Sequence, residues 1–279
     1  MNAVLHRNNV TVRGNGSQTL IFAHGFGCSQ YTWQEVASAF EKEYRVVLFD
    51  YVGAGQSDLT AYDSKKYSTL DGYAQDILDI CEVLDLKDTV LIGHSVSCMI
   101  AVIAGIKKPE YFKSLVFVSP SPYFFTDASY DGGLNREDVD GLFTMMESNY
   151  LGWSSMMAPL IMGNPQRPEL GDALAASFCS TDPKIAKEFA KVTFYSDNRS
   201  FLPLLKVKSL TLQCLDDMLA PPRIATYINE HTPGNTQVNL EATGHCPHLS
   251  APVKTIAAIR DYLVNPEIYE DRDLLALKQ

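Results

Sequence analysis

Short apolar runs rich in β-branched residues alternate along the chain with stretches patterned for helices, and this alternation limits the fold more than any other feature. The runs cover residues 10–12, 19–23, 45–50, 89–92, 114–118, 209–214 and 236–240. Most are continuously apolar, as strands buried on both faces of a parallel sheet are. Between them, residues 71–86 place Tyr73, Ala74, Ile77, Ile80, Cys81 and Leu84 on one stripe of helical period. Residues 96–106 are apolar nearly all round, which predicts a buried helix. Two outer helices are expected at 223–229 and 253–263, with Pro221, Pro222 and Pro252 near their first turns. Strands alternating with helices predict an α/β chain with a mostly parallel, doubly wound sheet.

One region breaks the alternation. Residues 122–201 carry helix patterns at 136–148, 153–161, 169–178 and 183–194, with Gly, Pro and Asn between them and no convincing strand. Open α/β sheets bind ligands at the carboxyl ends of their strands. A helical insertion between two sheet strands therefore reads as a lid over those ends. The expected division is a core of residues 1–121 and 202–264, a helical lid of 122–201 and a charged C-terminal extension of 265–279.

Composition narrows the function classes. The chain has 279 residues, 46% of them hydrophobic, enough for a large core, and 20% charged, too evenly spread for a disordered chain. A net charge of −10 repels phosphate backbones and anionic lipid, which argues against nucleic-acid and membrane partners. The longest apolar stretch, 99–106, is far short of the roughly 20 residues a membrane helix needs. The first 14 residues hold Arg7 and Arg13 but no apolar segment of signal-peptide type, so a cytoplasmic protein is expected. Six cysteines lie scattered without a CxxC pair, as reduced thiols do. Only His245 and His248 cluster with a cysteine, so no metal is expected, and no cofactor is implied.

Four motifs carry chemistry. Gly93-His94-Ser95-Val96-Ser97 follows a strand and opens a buried helix, the setting of a nucleophile elbow. The sharp turn exposes the Ser95 hydroxyl and brings its flanking backbones together, so positions 93 and 97 must be small. Ser97 stands where the strict pattern has a second Gly. A strand also ends in His24-Gly25-Phe26-Gly27, a glycine-flanked loop able to aim backbone N–H groups at an alkoxide. Phe26 and Val96 are the expected oxyanion donors, and His24 is expected to brace the loop. Another strand runs into Asp216-Asp217, and the last into Gly244-His245-Cys246-Pro247-His248. A Ser hydroxyl needs an imidazole base, and the imidazole needs a carboxylate to fix its tautomer. The order Ser, Asp, His, each at a strand end, points to Ser95, Asp217 and His245. Asp216 and His248 remain the alternatives. Gly53-Ala54-Gly55 lacks both the third glycine of a dinucleotide loop and the lysine of a P-loop, and reads as a structural turn.

HGFG, FDYVGAG, YSTLDGYAQD, GHSVS, SPSP, FCSTDP and GHCPH together resemble the RsbQ-like branch of the α/β-hydrolases, from about residue 3 to 264. The same core is similar to the plant karrikin and strigolactone receptors. Ser97 stands where the bacterial pattern usually has Gly and matches the plant receptors. The resemblance implies an α/β-hydrolase fold with the triad on Ser95, Asp217 and His245. It places ligand-pocket positions on Phe26, Phe124, Leu134, Leu142, Met157, Phe194, Met218 and Leu219, which implies a small hydrophobic ligand. It also implies a slow serine hydrolase with a signalling role, working with a PAS-domain serine phosphatase that activates a stress sigma factor. A free-standing metabolic carboxylesterase or lactonase is the alternative. Ser rather than Asp at the elbow argues against chemistry through an aspartyl ester.

Overall fold

The computed structural model describes residues 2–265. Apart from Asn265, the expected C-terminal extension lies outside the described residues. Seven strands form one sheet: β1 (Thr11–Arg13), β2 (Thr19–Ala23), β3 (Arg45–Leu48), β4 (Thr89–His94), β5 (Phe112–Val118), β6 (Ser209–Asp216) and β7 (Asn235–Thr243). Their order is β1-β3-β2-β4-β5-β6-β7, with β1 antiparallel to β3 and every other pair parallel. Each expected strand is present. β6 and β7 run further than their apolar runs did, to Asp216 and Thr243, because pairing with a neighbour outlasts the hydrophobic pattern.

Side chains alternate between the two faces, and both faces are covered. Leu20, Phe22, Val46, Leu48, Val90 and Ile92 pack with Trp33, Phe40, Ile259 and Tyr262. Ile21, Ala23, Val47, Leu91, Leu115 and Phe117 pack on the other side against α1 (Leu70–Val83) and α2 (Val96–Lys107). This double covering is why the strands read as continuous apolar runs. The Gly53-Ala54-Gly55 turn sits beside a buried carboxylate. Asp50 accepts the N–H groups of Gln30 at 2.7 Å and Gln56 at 2.9 Å, so the loop is braced from within.

Between β5 and β6 the chain forms α3 (Arg136–Ser148), α4 (Tyr150–Met162), α5 (Pro168–Cys179) and α6 (Pro183–Tyr195). Asn135, Asn149 and Asp182 cap three of them by accepting N–H groups of the first turn, and Gly163, at φ 64°, closes α4. The Asn149 cap starts α4 earlier than its apolar pattern suggested. The inner faces of these helices make a third apolar cluster, with Phe124, Phe125, Leu219 and Cys246. Two outer helices, α7 (Pro222–His231) and α8 (Pro252–Val264), complete the layers. Among the described residues no helix is long and apolar enough to cross a membrane.

Candidate active site

Ser95 lies between β4 and α2 at φ 56° and ψ −123°, a conformation a residue with a side chain adopts only under constraint. Its N–H donates to the Val118 carbonyl at 2.9 Å, which ties the elbow to the next strand. Gly93 is required by space, since a Cβ there would stand 2.7 Å from the Ser97 carbonyl oxygen. Ser97 is small enough for the same crossing and is fully buried.

The loops after β6 and β7 bring their side chains to this hydroxyl. His245 Nε2 stands 2.7 Å from Ser95 Oγ, and His245 Nδ1 stands 2.8 Å from Asp217 Oδ2. A carboxylate only accepts, so Nδ1 carries the proton and Nε2 is free to accept the hydroxyl hydrogen of Ser95. The other oxygen of Asp217 accepts the N–H groups of Leu219 at 2.9 Å and Ala220 at 3.0 Å. The histidine loop is pinned in turn. Its Gly244 N–H donates to the Asp216 carbonyl at 2.7 Å, and the His245 N–H donates to the Ile161 carbonyl at 3.0 Å. Ser95, Asp217 and His245 are all buried, whereas Asp216 is exposed at the strand end.

His248 is also buried but does not join this row. Its ring lies 4.4 Å from those of Trp33 and His94, and neither ring nitrogen has a partner among the described residues. Burial pulls its pKa down to about 3, with His245 adding to the effect. His94 is held well below the usual histidine range, first by burial and then by His248 and His245. Its Nε2–H donates to the His245 carbonyl at 2.8 Å. His24 is lowered by burial too. It donates from Nδ1 to the Gly25 carbonyl and accepts the Tyr51 N–H at Nε2, the brace expected of it.

A chamber opens above Ser95, between the sheet and α3–α6. All eight residues expected at the pocket line it: Phe26, Phe124, Leu134, Leu142, Met157, Phe194, Met218 and Leu219. Met218 is also 46% exposed, so it sits where the wall meets solvent. Val96 is buried at the first turn of α2, where a backbone N–H has no partner within the helix. Cys246, which its place next to His245 puts at the edge of the site, lines the chamber as well, and so do Trp153, Leu174, Phe178, Thr193 and Cys28, which were not singled out from sequence. The apolar faces of α4 and α5 signalled burial, but not which cavity they would face. Burial pushes the Cys28 thiol up to about 12 and that of Cys246 well up, so both are protonated at neutral pH. Little in the wall can bond a polar ligand apart from the groups at Ser95 and His245.

A profile of the alpha/beta hydrolase family matches residues 20–259. The chain belongs to the alpha/beta hydrolase family. This hydrolase is 37% identical over 253 residues to a karrikin insensitive 2 receptor of Petunia hybrida, covering 90% of this chain and 94% of the receptor. It is 36% identical over 258 residues to a strigolactone esterase of Arabidopsis thaliana, covering 92% of this chain and 96% of the esterase. Among solved structures it is similar to a hydrolase from Oleispira antarctica, at a TM-score of 0.92 and 40% identity, covering 94% and 97% of the two chains. The mostly parallel seven-stranded sheet with helices on both faces is the architecture its sequence led us to expect.

Proposed function

We propose that this hydrolase cleaves a small hydrophobic ester or lactone-like compound through Ser95, His245 and Asp217. The observation that carries the reading is the unbroken hydrogen-bonded row from Asp217 through His245 to Ser95, at the floor of an apolar chamber. Ser95 Oγ attacks the carbonyl carbon while His245 Nε2 takes its proton. The carbonyl oxygen becomes an alkoxide facing the N–H groups of Phe26 and Val96. His245 then gives the proton to the departing alcohol. A water molecule repeats the sequence on the acyl group and frees Ser95. Asp217 remains a carboxylate throughout and holds the imidazole in place.

The helical segment 122–201 acts as a lid over a core of 1–121 and 202–264. Phe26, Phe124, Leu134, Leu142, Met157, Phe194, Met218 and Leu219 select an apolar substrate by excluding water from around it. Relatives named as an esterase and as a receptor both support a ligand that is bound and cleaved. The resemblance to the RsbQ-like branch supports a cytoplasmic signalling role, with slow turnover and a PAS-domain serine phosphatase as partner.

The test is hydrolysis of a short-chain p-nitrophenyl ester by wild type and Ser95→Ala, with turnover and intact mass followed together. Slow turnover with a covalent adduct in wild type alone supports the signalling hydrolase. Turnover of many per second that vanishes in Ser95→Ala keeps the triad but favours a metabolic esterase. Equal activity in the two proteins refutes Ser95 as nucleophile.

A further inference from the structure

The loop carrying Phe26 is held at both ends by side-chain hydroxyls from other elements. At its start, Ser97 Oγ donates to the His24 carbonyl at 2.5 Å. Its own hydrogen being used there, Ser97 accepts from the Tyr51 hydroxyl, 2.9 Å away. The Tyr51 N–H donates to His24 Nε2 at 3.2 Å, which closes a ring of three fully buried residues. At the loop's far end, Ser177 Oγ on α5 donates to the Gly27 carbonyl at 2.7 Å. The adjacent Phe178 ring lies so close over Gly27 that a Cβ there would collide with it.

The two anchored carbonyls flank the peptide that presents the Phe26 N–H. Neither Ser97 nor Ser177 lines the chamber, so neither meets the substrate. An oxyanion donor is effective only if it already points where the charge will form. The Gly25 carbonyl of that peptide is itself held by His24 Nδ1 at 2.9 Å and by the Cys28 N–H at 3.3 Å, and the two hydroxyls fix where this locally braced turn sits relative to Ser95. Ser97 also occupies the elbow position where a bare glycine would suffice sterically, so its hydroxyl adds something that packing does not require.

We propose that Ser97 and Ser177 are positioning residues that set the direction of the Phe26 N–H, and so govern how tightly the tetrahedral intermediate is held. This inference rests on the reading of Ser95 as nucleophile. Because Ser177 belongs to α5, it also makes the oxyanion loop and one roof helix a single mechanical piece. Had the two hydroxyls served only to satisfy buried carbonyls, their loss would lower stability and weaken all ligands alike.

The experiment compares Ser97→Gly, Ser177→Ala and Ser177→Thr with wild type. It measures kcat and KM for a p-nitrophenyl ester, together with Kd for two ligands of equal alkyl chain. One is an alkyl boronic acid, which adds to Ser95 as a tetrahedral anion. The other is the planar carboxylic acid. Ser97→Gly and Ser177→Ala should each lower kcat about tenfold, since a displacement on the order of 1 Å can cost about 100-fold. Boronate binding should weaken by a similar factor, while KM and carboxylic-acid binding move less than about twofold. Ser177→Thr keeps the hydroxyl and should restore both. Equal weakening of the two ligands, or an unchanged kcat in a folded variant of lowered Tm, overturns the proposal. Should Ser97→Gly fail to fold, the half-buried Ser177 pair decides the matter. Undiminished turnover in Ser95→Ala would remove the mechanism itself, whereas its loss alongside unchanged Ser97 and Ser177 variants would remove only the positioning role.

Discussion

Asp217 accepts three hydrogen bonds, two from backbone N–H groups of its own loop and one from His245. Both carboxylate oxygens are therefore engaged and the side chain cannot swing away from the imidazole. Asp217→Asn would keep the shape but present an NH2 or a weaker acceptor to Nδ1. The imidazole would then favour the tautomer that puts a hydrogen on Nε2, facing Ser95. We expect kcat to fall by about 10⁴, as for the equivalent change in another serine hydrolase, with the fold intact by circular dichroism. Asp216→Asn, at an exposed carboxylate, should leave kcat within about threefold. Gly93→Ala tests the elbow by sterics alone. A Cβ 2.7 Å from a backbone carbonyl has nowhere to move, so the variant should be recovered mostly insoluble or with a sharply lowered Tm.

At the scale of elements, the roof helices join the site through aromatic contacts. The Phe178 ring centroid lies 5.8 Å from that of Phe26 and 5.5 Å from that of Trp153. Phe178→Ala removes a buried ring that bridges the helices above Ser95 and the loop carrying Phe26, and should cost about 3 kcal/mol in chemical denaturation. The same cavity should move ester preference toward longer acyl chains, read from kcat/KM across a chain-length series. Much of this architecture was legible in sequence. The inner strands were, because double burial leaves continuous apolar runs, and the partly exposed β1 and β7 were, through shorter runs rich in β-branched residues. The four roof helices were, because Asn, Pro and Gly punctuate them. The three residues of the hydrogen-bonded row at Ser95 were, because each follows a strand. The choice of Asp217 over Asp216 came from its place further into the loop after the strand, and in the structure it is Asp217 that bonds His245 Nδ1. What sequence could not supply was convergence. Trp153, Phe178 and Thr193 lie on different helices, and no spacing along the chain shows that they meet above Ser95. Ser97 read only as a tolerated departure, because the carbonyl it bonds belongs to a loop some 70 residues away in sequence.

Across the whole molecule, burial of neutral histidines sets the response to pH. His24, His94 and His248 all have pKa values lowered on folding, and His248 falls from 6.5 to about 3. At acid pH the unfolded chain binds protons that the native one refuses. Stability is therefore fully present above about pH 6.5 and declines as pH falls toward 3, by about 1.4 kcal/mol per pH unit for each histidine that titrates only when unfolded. Thermal unfolding should show Tm dropping between pH 7 and pH 5. His248→Phe, which keeps a flat ring between Trp33 and His94, should make that slope shallower by close to one proton. A slope unchanged in the variant would mean that His248 takes up a proton in the native state.

The apolar wall above Ser95 also governs time. On the proposed mechanism, forming the acyl ester needs only Ser95 and the substrate, with the Ser95 proton passing through His245 to the departing alcohol, whereas breaking it requires a water molecule beside His245. A wall of Phe, Leu and Met side chains offers that water almost nothing to bond on its way in. On that mechanism the wall retards the step that needs water and leaves the other step untouched. The packing of the roof is in that sense a clock, wound by each substrate molecule and stopped by the entry of one water.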